Sequence, residues 1–457
     1  MKKSSIILGI VVLLVCIYCC ADGAPSAATK GDNMQIATII ENGGCLECHT
    51  AEPKLPFYAE LPLAGDVVKK DIEEGYRSFD IQPMYDALKE GKKISEVDLA
   101  KVEKVFVDGT MPPAKYYMVH WGSYSSEKKV AAISEWAKEY RAKYYPNKLA
   151  AAEFANETVR PIEAAVEVDP LKAALGEMLF HDTRLSIDNT VSCASCHGIN
   201  TGGVDNKQYS EGVNGQLGGV NAPTVFNAHY NFVQFWDGRA ATLAAQAAGP
   251  PLNPVEMAST SFDEICAKLK ADAAFDKAFT AVYPEGITEQ TITDAIQEFE
   301  RTLLTPDSRF DLYLKGDKAA IGSEEIEGYS LFKQAGCATC HVGENLGGQS
   351  YELMGLRADY FGDRGTELTF EDNGRNKETK LERDIHRFKV PGLRNVALTA
   401  PYFHDGTQAT LEDAVKAMGK YESGVEFDDA QVAKIVAFLK SLTGKYKGAV
   451  LTNDNMK

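Results

Sequence analysis

Two short stretches decide the fold: residues 193–197 read Cys-Ala-Ser-Cys-His, and residues 253–256 read Asn-Pro-Val-Glu. The first has the C-x-x-C-H spacing that attaches a c-type haem, because the two thiols can form thioethers to the porphyrin and the imidazole can bind the iron. After His197 there is no His before His229 and no Met before Met257. The sequence therefore predicts an iron with one axial position free of protein, and Glu256 near it.

The same motif occurs twice more in the chain, and in each copy the final His is the predicted proximal iron ligand. Three of the ten cysteines lie in the first twenty residues, and Cys266 is the only other one outside the motifs. No cysteines remain to complete a zinc cluster, so zinc or a redox dithiol is disfavoured. We predict three covalently bound haem c groups, attached at Cys45, Cys48 and His49; Cys193, Cys196 and His197; and Cys337, Cys340 and His341.

Composition narrows the class of protein. A chain of 457 residues with 44% hydrophobic and 25% charged residues is typical of a globular protein of two to four domains. The formal net charge of -17 argues against nucleic-acid binding, which needs a basic face. An acidic surface suits a basic small electron carrier as a partner, although it also simply favours solubility.

The N-terminus has the pattern of an export signal. Lys2 and Lys3 precede an apolar run from Ile6 to Cys20, which suits a signal peptide better than a membrane span. Since haem c is attached outside the cytoplasm, we expect a periplasmic protein. Cys19 and Cys20 leave open a lipid anchor, and cleavage or retention of the leader as an inner-membrane anchor is also open.

Helical periodicity dominates and strand signals are scarce, so we predict an all-α chain of three cytochrome c-like haem domains with long loops. Helices are expected to begin after Ser95 and Ser126, at Asp169-Pro170 and, through a capping box with Glu264, at Ser261. The predicted parts are a signal peptide or anchor (1–24), an N-terminal monohaem domain (25–148), a linker (149–168), a middle haem domain (169–306) and a C-terminal haem domain (307–457).

The first haem domain offers two candidates for the second iron ligand. Met111 stands before two prolines just after a Gly-ended helix, as the ligand methionine does in small cytochromes. His120 is the alternative. We expect Met111 to bind, with the choice left open.

Residues 169 to about 444 resemble the bacterial di-haem cytochrome c peroxidases. The resemblance rests on Phe235-Trp236-Asp237-Gly238-Arg239, Gly249-Pro250, Asn253-Pro254-Val255-Glu256, Leu303-Leu304-Thr305-Pro306-Asp307 and the string from Val390 to Gly406. The N-terminal domain looks like that of tri-haem members, some of which are quinol peroxidases; that likeness is weaker.

The resemblance implies roles for particular residues. The middle haem would be the peroxidatic one, with Glu256 and Gln246 as its catalytic pair, and Trp236 would lie between it and the third haem. Met418 would be the second ligand of the third iron, where related protein-oxidising oxygenases have Tyr. One calcium ion would be held by Asn221 and by the carbonyls of Thr399 and Pro401, and a homodimer is left open.

Peroxide reduction needs a group that carries a proton, because peroxide must lose a proton from one oxygen and regain it on the other. The Glu256 carboxylate could serve first as the base and then as the acid. Many members have a His in the loop after the peroxidatic motif that covers the iron until another haem is reduced. Here Val213 stands at that position and cannot bind iron. We therefore predict that no reductive activation is needed, with His229 a structural residue.

The sequence thus predicts a periplasmic enzyme that reduces hydrogen peroxide to water with electrons from a quinol or small cytochrome. Two alternatives remain: a non-enzymatic tri-haem electron-transfer cytochrome, which would leave Glu256 and Gln246 unexplained, and a protein-modifying di-haem oxygenase, which would need Tyr at Met418.

Overall fold

The computed structural model describes residues 32–62, 64–118, 120 and 122–456. The predicted leader, with Cys16, Cys19 and Cys20, lies outside these residues. The described chain is mainly helical with little sheet, which confirms the all-α prediction. None of its helices combines the length and the apolar character that crossing a membrane requires.

The chain divides into two compact units, one ending at Pro146 and the other starting at Asn147. The first is an array of helices: α1 (Asn33–Asn42), α2 (Cys45–Cys48), α3 (Ala64–Ser78), α4 (Gln82–Glu90), α5 (Glu96–Val107), α6 (Ala114–Tyr117) and α7 (Glu127–Tyr144). Ser95 and Ser126 cap α5 and α7 as the sequence indicated. The core of this unit is formed mainly by side chains of α1, α4, α5 and α7.

The second unit begins with helices that surround the middle C-x-x-C-H motif. They are α8 (Pro170–Phe180), α9 (Cys193–Cys196), α10 (Leu243–Ala247), α11 (Gly249–Leu252), α12 (Phe262–Lys270), α13 (Ala273–Val282) and α14 (Glu289–Arg301). Asp169 caps α8, as predicted. Ser261 caps α12, but the Glu264 carboxylate accepts from the backbone and hydroxyl of Thr260, so the predicted capping box is only half formed.

The rest of the second unit surrounds the third motif. Its helices are α15 (Arg309–Leu314), α16 (Ser323–Gln334), α17 (Tyr360–Arg364), α18 (Asn376–Thr379), α19 (Leu411–Met418) and α20 (Asp429–Lys440). Two antiparallel pairs complete it: β1 (Tyr351–Leu353) with β2 (Arg387–Lys389), and β3 (Lys445–Tyr446) with β4 (Ala449–Val450). A hydrophobic core lies around each of the two motifs, with Leu451 of the C-terminal tail in a smaller cluster beside the middle one.

The predicted linker is packed along the second unit. Val159 is fully buried in the core of the C-terminal haem region, and Arg160 pairs with Glu344 at 2.8 Å. The backbone nitrogen of Arg160 also donates to Gly343. The segment therefore belongs structurally to the second unit, while the division of that unit into two haem domains stays a prediction.

Candidate active site

Each C-x-x-C-H motif forms a single helical turn. The first and second motifs are α2 and α9, and the third is a 3-10 turn, Cys337–Thr339. Left-handed Gly44 and Gly336 precede the first and third turns, where a residue with a side chain would be strained. All six motif cysteines are half-buried and free of disulfides, so they are available for thioether bonds.

In all three motifs the histidine ring is held by a hydrogen bond from Nδ1 to a backbone carbonyl, which leaves Nε2 free to bind a metal. The Nδ1 atoms of His49, His197 and His341 lie 3.0, 3.4 and 2.9 Å from backbone carbonyl oxygens. Donation from Nδ1 fixes the ring and leaves Nε2 for iron. Burial lowers the pKa of each imidazole, which favours the neutral, ligating form. These residues fit covalently attached haem with one histidine ligand each.

Val213 lies against the segment that carries Glu256. Its backbone nitrogen donates to the Glu256 carbonyl at 2.8 Å, and its side chain is buried in the core cluster that Cys193 also contacts. At Gly212 a Cβ would lie 2.3 and 2.4 Å from the carbonyl oxygens of Val255 and Glu256, so only glycine allows this approach. Val213, at the position where many members of the family have an iron-covering histidine, thus packs as an apolar side chain beside the Glu256 segment.

Glu256 is a half-buried carboxylate held in a tight turn. The Asn253 amide donates to Oε1 at 2.6 Å, and the backbone nitrogen of Glu256 donates to the Asn253 carbonyl at 3.0 Å. Burial raises the pKa of Glu256, opposed by the Asn253 hydrogen bond and by the charge of Arg239. The carboxylate in turn helps to raise the pKa of the Cys193 and Cys196 thiols, so it lies within electrostatic reach of the haem-attachment turn.

Gln246 lies half-buried on α10, whose N-cap Thr242 accepts from the backbone nitrogen of Ala245 at 3.1 Å. The next residue, Ala247, belongs to the same core cluster as Val213 and Met257. Glu256 directly precedes Met257. The two segments that carry the predicted catalytic pair therefore border one cluster next to the middle motif.

Trp236 links the middle region to the C-terminal haem region. Its Nε1 donates to the Asn221 carbonyl at 2.9 Å, and its own carbonyl accepts from the backbone nitrogen of Lys389. Its ring packs edge-on against Phe388 and His404, with both centroid distances at 6.4 Å. The indole is thus fixed in position and half-buried.

The third motif lies beside the helix that carries Met418. The cluster around Cys337 includes Ala414 and Val415 of α19, and Met418 is the half-buried last residue of that helix. A short π-helix, Gly419–Ser423, follows directly. The arrangement is compatible with Met418 as an axial ligand, which stays a prediction.

In the N-terminal unit the two candidate ligands have different surroundings. His120 stacks on Tyr116 with a centroid distance of 3.9 Å, and its Nε2 is hydrogen-bonded to the Tyr58 hydroxyl. Tyr116 reaches the attachment turn, because its hydroxyl donates to Glu47 at 2.9 Å. Met111 is half-buried and its carbonyl accepts from Ser125. Iron binding through Nε2 of His120 would require its hydrogen bond with Tyr58 to break, and Met111 as the ligand stays a prediction.

Comparison with known proteins identifies the class of the chain. The family model described as di-haem cytochrome c peroxidase matches residues 170–319, a haem-binding domain matches residues 19–139 and a cytochrome c domain matches residues 326–443. Cytochrome c peroxidase Ccp of Escherichia coli K12 is 49% identical over 421 residues, which is 92% of this chain and 90% of that protein. The chain belongs to the di-haem cytochrome c peroxidase family.

Two further relatives agree with this assignment. Cytochrome c551 peroxidase of Nitrosomonas europaea is 49% identical over 64% of this chain and 85% of that protein. The crystal structure of a MauG-like protein associated with microbial copper homeostasis is 30% identical, with a TM-score of 0.56, over 62% of this chain and 93% of that chain. This peroxidase is therefore a haem enzyme with covalently bound haem c, and the predicted family, fold class and enzyme class are confirmed.

The predicted calcium residues lie on segments that meet in the peroxidase. The Asn221 amide nitrogen donates to the Lys207 carbonyl at 2.9 Å, which leaves the side-chain oxygen for a cation. The backbone nitrogen of Asn221 donates to the His404 carbonyl, so this residue lies beside the segment that contains Thr399 and Pro401. Oxygen donors of this kind suit calcium, and the site stays a prediction.

Sequence reasoning missed a buried charge network behind Trp236. Arg364 pairs with Asp372 at 2.8 Å and with Asp405 at 2.9 Å, and His404 Nε2 lies 2.8 Å from Asp372. Burial opposes ionisation, but the hydrogen bonds from Arg364 and His404 hold the pKa of Asp372 well below its usual range. The Arg364 guanidinium thus balances the charge of the two carboxylates beside His404. The only sequence signal was His404-Asp405 in the family string.

His229 is expected from the sequence to be a structural residue. It occupies a 3-10 turn, Ala228–Tyr230, and burial together with the charge of Arg301 lowers its pKa. Glu163 and Glu298 act in the opposite direction. Its neighbourhood is that of a partly buried structural histidine, in keeping with the sequence interpretation.

Proposed function

We propose that this peroxidase reduces hydrogen peroxide to two waters at the haem attached through Cys193 and Cys196, with Glu256 as the proton-transfer residue and Gln246 as the residue that orients the peroxide. The single observation that supports this most is Glu256 itself, a half-buried carboxylate within electrostatic reach of both cysteines. The names of the relatives support the reaction class.

When bound, the haem attached through Cys193 and Cys196 would supply a binding position for peroxide and would exchange the electrons. Overall, one peroxide takes up two electrons and two protons and yields two waters. Glu256 accepts the proton from one peroxide oxygen and returns it to the other, so that the O–O bond breaks with water as the leaving group. The Asn253 hydrogen bond at 2.6 Å holds the carboxylate in place for both transfers.

Burial has a catalytic consequence for this carboxylate. By raising the pKa of Glu256, burial makes the anion a stronger base than an exposed glutamate. The Asn253 hydrogen bond and the charge of Arg239 act in the opposite direction and limit the rise in this pKa. Gln246 can donate and accept hydrogen bonds but carries no proton, which fits an orienting role.

Electrons would enter at the haem of Cys45 and Cys48, pass to the haem of Cys337 and Cys340 with its His341 and Met418 ligands, and then reach the middle haem. Trp236, whose ring packs edge-on against Phe388 and His404, would support the last transfer. The donor is a quinol or small cytochrome in the periplasm. A calcium ion held by Asn221 and by the carbonyls of Thr399 and Pro401 would stabilise the segment that contains these last two residues.

The presence of Val213 supports the proposal that the oxidised enzyme can bind peroxide without prior reduction of another haem. Its side chain is apolar and buried, and its backbone nitrogen donates a hydrogen bond to the Glu256 carbonyl. Electron paramagnetic resonance of the fully oxidised protein should therefore contain a high-spin ferric component. A spectrum with low-spin components alone would contradict this part of the proposal.

The decisive test is steady-state peroxide reduction by wild type and Glu256→Gln, assayed with a quinol analogue and with a reduced small cytochrome. Loss of the proton carrier should lower kcat by roughly 100-fold or more, as expected for general acid–base catalysis. Glu211→Gln is the matched control, because Glu211 lies in the same loop as Val213 but is exposed and pairs with Lys207 at 3.5 Å. Equal rates in Glu256→Gln and wild type would refute the assignment of Glu256.

A further inference from the structure

A second buried acid lies near the middle motif and has no part in the mechanism above. Glu300 is the penultimate residue of α14, and only 5% of its surface is exposed. α14 packs against α8 and α10, where Gln297 accepts a hydrogen bond from the backbone nitrogen of Ala244 at 3.1 Å. Glu300 follows Gln297 by three residues and therefore lies on the same side of the helix.

The Glu300 carboxyl group is unpaired within the described part of the chain. Its Oε2 atom is fully buried and has no hydrogen-bond partner. Burial alone raises the pKa of Glu300 to about 8. A carboxylate without a cation or donors is costly to bury, so the protonated form is favoured.

Burial is the cause of the raised pKa of Glu300, and the ion pairs on the surrounding helices join other residues. On α14 itself, Glu298 pairs with Arg301 at 2.6 Å. α10 carries no charged residue. The remaining pairs on or near the packed helices are Lys172 with Asp294, Glu177 with Lys447 and Lys268 with Glu264, and His229 is influenced by Arg301.

Glu300 does interact with the haem-attachment turn. Its charge is the largest electrostatic contribution that raises the pKa of the Cys193 thiol, after burial. The adjoining residue Phe299 and nearby Leu303 belong to a core cluster that Cys193 and Ala194 contact. In the holoenzyme Cys193 is a thioether and no longer titrates, which leaves the haem as the group whose charge Glu300 would sense.

We propose that Glu300 is a positioning residue that couples the redox change of the haem attached through Cys193 to the binding of one proton. At a pH at which the Glu300 carboxyl is ionised, it would bind one proton from solvent, with formation of an O–H bond, as the haem gains one electron from the donor. When the haem loses the electron, that O–H bond breaks and the proton returns to solvent. The added charge in the low-dielectric interior is thereby neutralised.

The sign of the effect follows from electrostatics. Above a pH of about 8 the ionised carboxylate favours the oxidised, more positive haem, so the midpoint potential falls. Below that pH the neutral acid has little effect on the potential. This coupling does not depend on which haem reduces peroxide, and it goes beyond the proposed catalytic role of Glu256.

The test is a spectroelectrochemical titration of the intact haem-loaded protein at several pH values on either side of 8, in wild type, Glu300→Gln and Glu300→Asp. In wild type one transition should shift to lower potential as pH rises, and Glu300→Gln should lose that shift. Glu300→Asp, which keeps an acid, should retain a pH-dependent shift. An unchanged pH dependence of every transition in Glu300→Gln would overturn the proposal.

Two controls separate this from other effects. Glu298→Gln removes a buried carboxylate from the same helix that is already paired with Arg301, and it should keep the wild-type pH dependence. Reduced-minus-oxidised infrared difference spectra should contain a protonated-carboxyl band in wild type that is absent in Glu300→Gln, and its presence in both would also overturn the proposal. Peroxide turnover, measured in parallel, reports on Glu256 independently of these readouts.

Discussion

Among single residues, Arg239 offers a test of the electrostatics around Glu256. Its guanidinium contacts both Asp237 oxygens at 2.9 and 3.0 Å, stacks on Phe235, and lowers the pKa of Glu256 by its charge. Because the base must be ionised, turnover should fall as pH falls through the Glu256 pKa.

Arg239→Gln should raise that pKa and move the acid limb of the kcat/KM profile to higher pH. The Arg239 side chain is 40% exposed, so solvent screening keeps this move of the acid limb small. Arg184→Gln, which removes a charge paired with Asp182 instead, should leave the limb in place. A profile unchanged by Arg239→Gln would mean that another group sets the limb.

Glu300 also predicts how stability depends on pH. Its folded pKa of about 8 lies above the ordinary glutamate value of 4.5, so its contribution to stability is full below 4.5 and is lost as pH rises to about 8. Glu300→Gln avoids this loss. The variant should gain stability over wild type at alkaline pH by up to about 5 kcal/mol, with the difference shrinking toward pH 4. Chemical denaturation at several pH values measures it, and a difference independent of pH would contradict the buried-acid interpretation.

At the scale of elements, local signals in the sequence located the helices well. Ser95, Ser126 and Asp169 each cap the helix that they were expected to start, because a side-chain oxygen beside the first turn satisfies free backbone nitrogens whatever the tertiary context. The half-formed box at Ser261 marks the limit of this reasoning. There Glu264 has a competing donor pair in Thr260.

The crossing of α8 and α14 depends on Gly176. A Cβ at this position would lie 1.9 Å from the Ala295 carbonyl oxygen and 2.8 Å from the Phe299 Cβ, and both are rigid parts of α14. Gly176→Ala should therefore force the helices apart and lower the free energy of unfolding by roughly 1–3 kcal/mol or more.

Thermal unfolding of the holoprotein measures this effect. Gly218→Ala is the matched control, since a Cβ there has no neighbour nearer than 3.7 Å. Equal melting temperatures for Gly176→Ala and Gly218→Ala would show that the two helices do not need this close contact.

At the scale of the whole molecule, long-range pairing escaped prediction from sequence. The C-x-x-C-H motifs are local and were recognised from the residues alone, whereas Glu256 was singled out by its Asn-Pro-Val-Glu context together with the family resemblance. The Arg364–Asp372 pair, the packing of Val159 into the C-terminal core and the isolation of Glu300 each join segments far apart in sequence. The sequence does not show that Glu298 is paired and Glu300 is not, since both lie on α14 two residues apart. The packing of α14 against α8 and α10 determines which of the two has a partner.

The division after Pro146 leads to the last prediction. Residues 147–457 contain two of the three haem motifs, both hydrophobic cores around them, and the packed segment with Val159 and Arg160. We therefore expect this fragment to fold with two haems and to reduce peroxide when a small artificial reductant supplies electrons. With the natural class of donor its rate should fall by roughly 10-fold or more, corresponding to at least about 1.4 kcal/mol in the activation barrier.

His49→Ala in the full chain is the companion variant, because it removes the proximal ligand of the first haem without removing the unit. It should show the same loss with a quinol or cytochrome donor and the same activity with the artificial reductant. If the fragment and His49→Ala both kept full turnover with the natural class of donor, electrons would have to enter the second unit directly, and the N-terminal haem would not be the entry point.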